Sequence, residues 1–345
     1  DSATTPVTSL SAMTGDFDPS DADGTPLPAR LQLSAALGLA REAFFYRELA
    51  PRLEGLVPAV THAQGCMETG DKHVLMEDLS ECVDSGVLFG VGNPNNWGRD
   101  LPALCARAGT PPPTPEEVSA RTFSAYAHLH ARFWRDPTLL ALPWLRGADW
   151  TCGRERPKWE ESQETARKFW EGRPADLAIH PLVESALVRA IHVSTWESQL
   201  QRLNEKSPFT LVHGDAWPGN VMWHPSGRVV LVDWEMAGVG SGAQELGQYL
   251  ISNMEPALRR TCERGLVRGY YDELIKAGGD RIAGYTWDAA WREYRIGGLE
   301  RWLWFLCYFA SDAAHAAGFA FFHAQVLAFM QDHALTAADV TGLRF

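Results

Sequence analysis

"LVHGDAWPGNVMWHPSGRVVLVDWE", residues 211–235, reads as two short apolar strands around a polar turn, yet it carries Asp215, Asn220 and Asp233, which a plain core hairpin does not require. A turn centred on Ser226 and Gly227 predicts an antiparallel hairpin in which opposed residue numbers sum to 453. That register sets Asn220 opposite Asp233, with Cβ atoms roughly 4.5–5.5 Å apart. One hard cation bridges such a gap through oxygen ligands at about 2.0–2.1 Å. Asp215 stands among Gly214, Pro218 and Gly219, so it belongs to a loop and can accept a proton from a substrate hydroxyl. Mg²⁺ held by Asn and Asp oxygens keeps its other positions for water and phosphate, which suits phosphoryl transfer. Any one of the three residues alone would read as turn chemistry; the combination argues for a site. His213 reads as an orienting or satisfied core residue. Glu235 reads equally as a support beside the metal or as a solvated acid.

Working outward, 46% apolar and 21% charged residues over 345 positions describe a chain that folds around its own core. A net charge of -12, with 31 basic against 43 acidic residues, argues against a nucleic-acid partner. Six scattered cysteines with no C-x-x-C pair predict reduced thiols and a cytoplasmic setting. The most lipid-like run, Ala314 to Met330, is short and interrupted by His315, His323 and Gln325, so it predicts a buried helix and no membrane partner. Oligomeric state is not encoded in any pattern here. No apolar leader opens the chain.

Residues 1–30 are rich in Thr, Ser, Asp, Gly and Pro and predict a loop. Apolar residues recur at three- and four-residue steps from Leu33 to Leu53, which predicts an amphipathic helix carrying Glu42. A hairpin follows around Thr69-Gly70-Asp71 and ends at Met76-Glu77-Asp78-Leu79. Another helix is predicted over Pro115–Trp134, and the last 90 residues read almost wholly as helix. The fold class is α+β. "GVLFGVGNPNNWG" is expected to be a surface loop and the glycines of "GVGSG" a turn. Trp287, Trp291, Tyr294, Trp302, Phe305 and Phe309 form an aromatic stripe at helical spacing, with Asp288 and Glu300 nearby. It serves either as core or as the wall of an acceptor pocket built from Trp291, Glu300 and Trp302.

These motifs resemble the aminoglycoside phosphotransferase and choline kinase superfamily over roughly residues 38–310. The resemblance implies a protein-kinase-like, two-lobed fold, with residues 1–79 a partial N-terminal lobe and 80–345 a helical C-terminal lobe. It implies ATP and Mg²⁺ as cofactors and a small hydroxylated molecule as acceptor. Asp215 would be the catalytic base, and Asn220 and Asp233 the metal ligands. "REAFFYRELAP" is similar to the helix whose glutamate, here Glu42, pairs with a nucleotide-anchoring lysine. "HVLMEDL" resembles the hinge strand, so Met76, Glu77, Asp78 and Leu79 would meet adenine. "LHARFW" and "LPWLRGADW" resemble the ecdysteroid-kinase-like, or CHK kinase-like, branch. Two departures stand out. The expected lysine strand ahead of Glu42 is missing, and the first lysine, Lys72, falls after that helix in a predicted turn. The expectation is that the anchoring strand and a Gly-rich loop precede Asp1; the alternative is a nucleotide-binding pseudokinase or regulatory protein without the anchor. "GAQELGQYL" also carries Glu245 where the family usually has Asp.

Overall fold

The computed structural model describes residues 38–148, 154–201, 208–311 and 316–344. The loop expected over 1–30, the start of the Leu33 helix and the end of the "LPWLRGADW" motif lie outside the described residues. In chain order the main elements are α1 (Arg41–Glu48), β1 (Val60–Gly65), β2 (Lys72–Met76), β3 (Val83–Asp84), α2 (Leu101–Ala108) and α3 (Pro115–Arg132). Next come α4 (Arg156–Glu171), α5 (Pro181–Val193), α6 (Trp196–Gln201), β4 (Thr210–Val212), β5 (Val221–Trp223), β6 (Val229–Leu231) and β7 (Gly238–Gly240). The helices α7 (Gly242–Asn253), α8 (Pro256–Gly278), α9 (Trp287–Arg292), α10 (Gly298–Ala310) and α11 (Ala316–Asp332) complete the chain. The result is the α+β, two-lobed arrangement that the sequence predicts.

The smaller part packs α1 on the antiparallel pair β1–β2. Here α1 ends at Glu48, earlier than periodicity predicts, because Pro51 lacks an N–H and the chain tightens into a 3-10 turn over Ala50–Arg52. The larger part is organised by α3, α7, α8, α10 and α11. Thr114 opens α3 with a capping box that engages Glu117, so its start is written locally. Two small sheets are embedded among these helices, β3–β5–β6 and β4–β7. The "GVGSG" segment is therefore partly strand: Val239 pairs with Leu211, and a Cβ at Gly238 would come within 2.7 Å of the Arg146 carbonyl. "GVLFGVGNPNNWG" is a surface loop only in part, with Val91 and Trp97 exposed. It forms two 3-10 turns with Asn93, Asn95 and Asn96 buried, because Asn96 donates to the carbonyls of Gly86 and Gly90. One apolar core runs through both parts, from Phe45 to Leu343.

Candidate active site

Strand β4 is wholly buried and delivers His213, Gly214 and Asp215 into a sharp turn. Gly214 has φ 82°, and a Cβ there would overlap the Met236 carbonyl, so only glycine fits. The turn is held from both sides. On one side, Glu245 Oε2 accepts from the His213 N–H at 3.0 Å and Oε1 from the Gly214 N–H at 2.7 Å. Its Oε2 also meets His130 Nε2 at 3.1 Å. The glutamate that departs from the family pattern thus reaches the loop with both oxygens. On the other side, Arg301 Nη2 donates to the Gly214 carbonyl at 2.6 Å. His213 bonds the Val232 carbonyl through Nε2 at 2.8 Å and lies against the Trp234 ring, which makes it part of the frame.

Asp215 is only 4% exposed. Asn220 Nδ2 donates to its Oδ2 and to its backbone carbonyl, both at 3.0 Å, which turns the Asn220 side-chain oxygen toward other partners. Burial pushes the Asp215 carboxyl up to about 6; Glu235 and Glu245 add to this, while Arg301 and Asn220 oppose it.

The hairpin register differs by one from the sequence expectation. Val221 pairs with Leu231 and Trp223 with Val229, so opposed numbers sum to 452 and Asn220 faces Val232. The cause is a three-residue loop, Pro225 to Gly227, closed by the His224–Arg228 bond with Gly227 left-handed at φ 85°. Asp233 reaches the site by another route: it leaves β6 in the left-handed region at φ 65°, ψ 67°, a conformation that Asp tolerates better than most residues. Burial, then Glu235, Asp215 and Glu42, hold its carboxyl well above the usual range against Lys72 alone. Among the described residues no three His, Cys, Asp or Glu side chains form a metal cluster. The donor set at hand is the Asn220 oxygen with Asp233, beside Glu42, Asp215 and Glu235, with Lys72, Arg41, Arg146 and Arg301 as the cations nearby. Glu235 Oε2 is buried without a partner. Carboxylate and amide oxygens of this kind are the donors a hard divalent cation takes.

Lys72 is the main correction to the sequence reading. It opens strand β2 opposite Gly65, and its Nζ donates to Glu42 Oε2 at 2.5 Å and to Glu235 Oε1. Burial disfavours its charge, but the two carboxylates outweigh this and raise its pKa. Glu42 thus has a lysine partner, supplied by the strand after its helix. Phe45, one turn beyond Glu42, stacks on Trp234 with ring centroids 3.8 Å apart and clamps α1 to the Asp233 segment. At the predicted hinge Met76 is exposed, Glu77 pairs with Arg228 at 2.6 Å, and Asp78 caps Ser80 at 2.8 Å. Leu79 accepts at its carbonyl from Cys82.

Asp215 borders a narrow cavity of about 20 Å³, walled by Trp217, Gln248, Ser252, Trp302, Phe305 and Phe309. Of the three residues expected at the acceptor, Trp302 alone lines it, fixed by its indole N–H to the Gln248 carbonyl at 3.0 Å. Trp291 packs instead between Trp287 and Tyr294. Glu300 is fully buried, and its Oε2 accepts from Arg344 Nε at 2.6 Å, so it offers no charge to an acceptor. Gln248 and Ser252 escaped the sequence reading, although their four-residue spacing places them on one face of α7. Arg301 gave no signal, because its contact spans 87 positions.

The model of the phosphotransferase enzyme family matches residues 92–290, more than half of the chain. The chain belongs to the phosphotransferase enzyme family. Among solved structures, this phosphotransferase is similar to a choline/ethanolamine kinase family protein from Mesorhizobium loti, at 16% identity, TM-score 0.44, and 92% and 85% coverage of the two chains. It is also similar to choline kinase LicA from Streptococcus pneumoniae, at 12% identity, TM-score 0.47, and 86% and 83% coverage. An aminoglycoside phosphotransferase from Alicyclobacillus acidocaldarius matches at 15% identity, TM-score 0.40, and 89% and 82% coverage. No curated protein matches this phosphotransferase in sequence. No described helix is long and apolar enough to cross a membrane.

Proposed function

We propose that this phosphotransferase is an ATP-dependent kinase of a compact alcohol, with Asp215 as the base. The observation that carries the reading is the setting of Asp215: a buried carboxylate on a loop braced by Glu245 and Arg301, facing Asn220 on one side and an aromatic cavity on the other. An acceptor hydroxyl in that cavity gives its proton to Asp215 as its oxygen attacks the terminal phosphorus. A carboxyl poised near 6 is ionised enough at neutral pH to take it. Asn220 and Asp233 would hold Mg²⁺, which when bound neutralises phosphate charge. Lys72, steadied by Glu42 and Glu235, is the proposed nucleotide anchor, and the backbone of Met76–Leu79 the proposed adenine contact. With Lys72 in that place the pseudokinase alternative loses its main motive. We divide the lobes near residue 79 and assign the chain to the CHK kinase-like branch and a cytoplasmic setting, on the sequence motifs and the free cysteines among the described residues.

The cavity admits little more than the hydroxyl end of an acceptor, and the chemistry of its wall supports a soft, weakly hydrated one. Its wall is aromatic, and Asp215 is its sole carboxylate, which disfavours a polyamine needing several counter-charges. The test measures Mg²⁺-dependent ATP consumption with choline, with its neutral isostere 3,3-dimethylbutan-1-ol, and with an aminoglycoside. Phosphorylated product from either compact alcohol, lost in Asp215→Asn, supports the reading; turnover of the aminoglycoside alone, or turnover that survives Asp215→Asn, overturns it.

A further inference from the structure

A second and larger cavity, about 530 Å³, lies between the first half of α4 and the Ser194–Glu197 junction that joins α5 to α6. That volume is in the range that small-molecule sites occupy. None of the residues assigned to phosphoryl transfer lines it.

Its floor is built in an unusual way. Gln163 is 5% exposed, and neither its Oε1 nor its Nε2 has a hydrogen-bond partner. Trp159, one turn earlier and 3% exposed, likewise has an unpartnered Nε1. Buried polar groups without partners destabilise a fold and are few in native proteins, so three of them on two residues that line one cavity are a reason to look for a ligand, toward which a small side-chain rotation would turn these withdrawn atoms. Beside them stand two indole rings, Trp159 and Trp196, with centroids 5.9 Å apart and planes at 66°.

The chemistry of these groups defines what fits. A primary amide presents an acceptor and a donor side by side, and it matches a flat ring edge carrying an amino donor next to a ring-nitrogen acceptor. The indole N–H leaves room for one more acceptor on the same molecule, and the tryptophan faces favour a planar ring. At the rim, Arg156 is paired with Glu160 and Glu197, and Arg167 with Glu164, while Glu161 has no ion-pair partner among the described residues. The rim thus carries more carboxylates than arginines and repels a phosphate.

We propose that this cavity binds a phosphate-free planar nitrogen heterocycle of the aminopyrimidine or aminopurine class, held edge-on by Gln163 and against the Trp159 and Trp196 rings. The site shares no lining residue with the cavity beside Asp215.

The test uses the full chain with its nucleotide site saturated by Mg²⁺ and a non-hydrolysable ATP analogue, and cytidine as the probe, titrated by calorimetry. The expected result is saturable binding that weakens at least about tenfold in Gln163→Leu and with N4,N4-dimethylcytidine, each of which removes a hydrogen bond at the amide edge. Cytidine 5′-monophosphate should bind more weakly than cytidine. Thermal melts of the ligand-free variant supply an independent readout. A ligand-binding amide that is unpaired at rest predicts that Gln163→Leu melts about 1–3 °C higher than wild type. Absence of saturable cytidine binding, binding unchanged in Gln163→Leu, or a lower melting temperature in that variant would each overturn the proposal, the last by assigning the amide a structural partner.

Discussion

Arg301 donates through Nη2 to the carbonyl oxygen of Gly214 at 2.6 Å from a side chain wholly withdrawn from water. Burial lowers its pKa to about 10 against the pull of Asp215 and Glu245, so it remains a cation beneath the Gly214–Asp215 turn. It both fixes the loop and stabilises the ionised Asp215 carboxylate. Arg301→Leu should therefore lower kcat by about 10- to 100-fold and move the acid limb of the pH–rate profile to higher pH, with KM for ATP little changed. Arg301→Lys should restore part of the pH shift because the charge returns. A profile that does not move in Arg301→Leu would reduce the residue to a packing role.

Asp215→Asn should cut turnover by roughly 10²- to 10⁴-fold, the usual worth of a positioned base. The same variant has a stability signature in metal-free protein. The folded carboxyl titrates near 6, above an unfolded value of about 3.9. The native state therefore keeps a proton that the unfolded chain has released, and its contribution to stability is present below about pH 4 and lost as pH rises through about 6. Asp215→Asn should melt higher than wild type above that pH in EDTA, and the difference should close toward pH 4. Melting curves that run parallel at every pH would count against a buried, raised carboxyl.

Lys72 links Glu42, 30 positions before it, to Glu235, 163 positions after it. Lys72→Met should weaken binding of Mg²⁺ and an ATP analogue by about 10- to 100-fold, and Lys72→Arg should retain more of it. Calorimetry reads this directly. Unchanged affinity in Lys72→Met would mean that the anchoring charge comes from another part of the protein.

Glu300 binds the end of the chain rather than an acceptor. Its carboxylate takes the Gly342 N–H at 3.1 Å, the Thr341 hydroxyl at 2.7 Å and Arg344 Nε at 2.6 Å. Glu300→Gln should cost about 2–3 kcal/mol of stability, because it leaves the buried Arg344 with less negative charge to face. The KM of the accepted alcohol, and its dependence on salt, should stay as in wild type. A salt-sensitive loss of acceptor affinity without a fall in melting temperature would restore Glu300 to the pocket.

The sequence by itself determined the local layout of the proposed catalytic segment, because the turn and strand signals there are local. Gly214, Pro218 and Gly219 dictate a turn, the apolar runs on either side dictate strands, and Asp215, Asn220 and Asp233 fall within 19 positions of one another. The helix α3 was legible for the same reason, since periodicity and the Thr114 cap lie within one stretch. The hairpin register was off by one, because loop length is set by the left-handed Gly227 and not by composition. Only the tertiary structure decided who meets whom over long range. Lys72 reaches Glu42 because β2 folds back on β1 beside α1, and Arg301 reaches Gly214 across 87 positions. Glu300 was drawn away from the acceptor pocket by Arg344, 44 positions later. Charge pairs and cavity walls of this kind depend on the packing of whole helices, and no periodicity in a single segment records which neighbour a buried side chain will find.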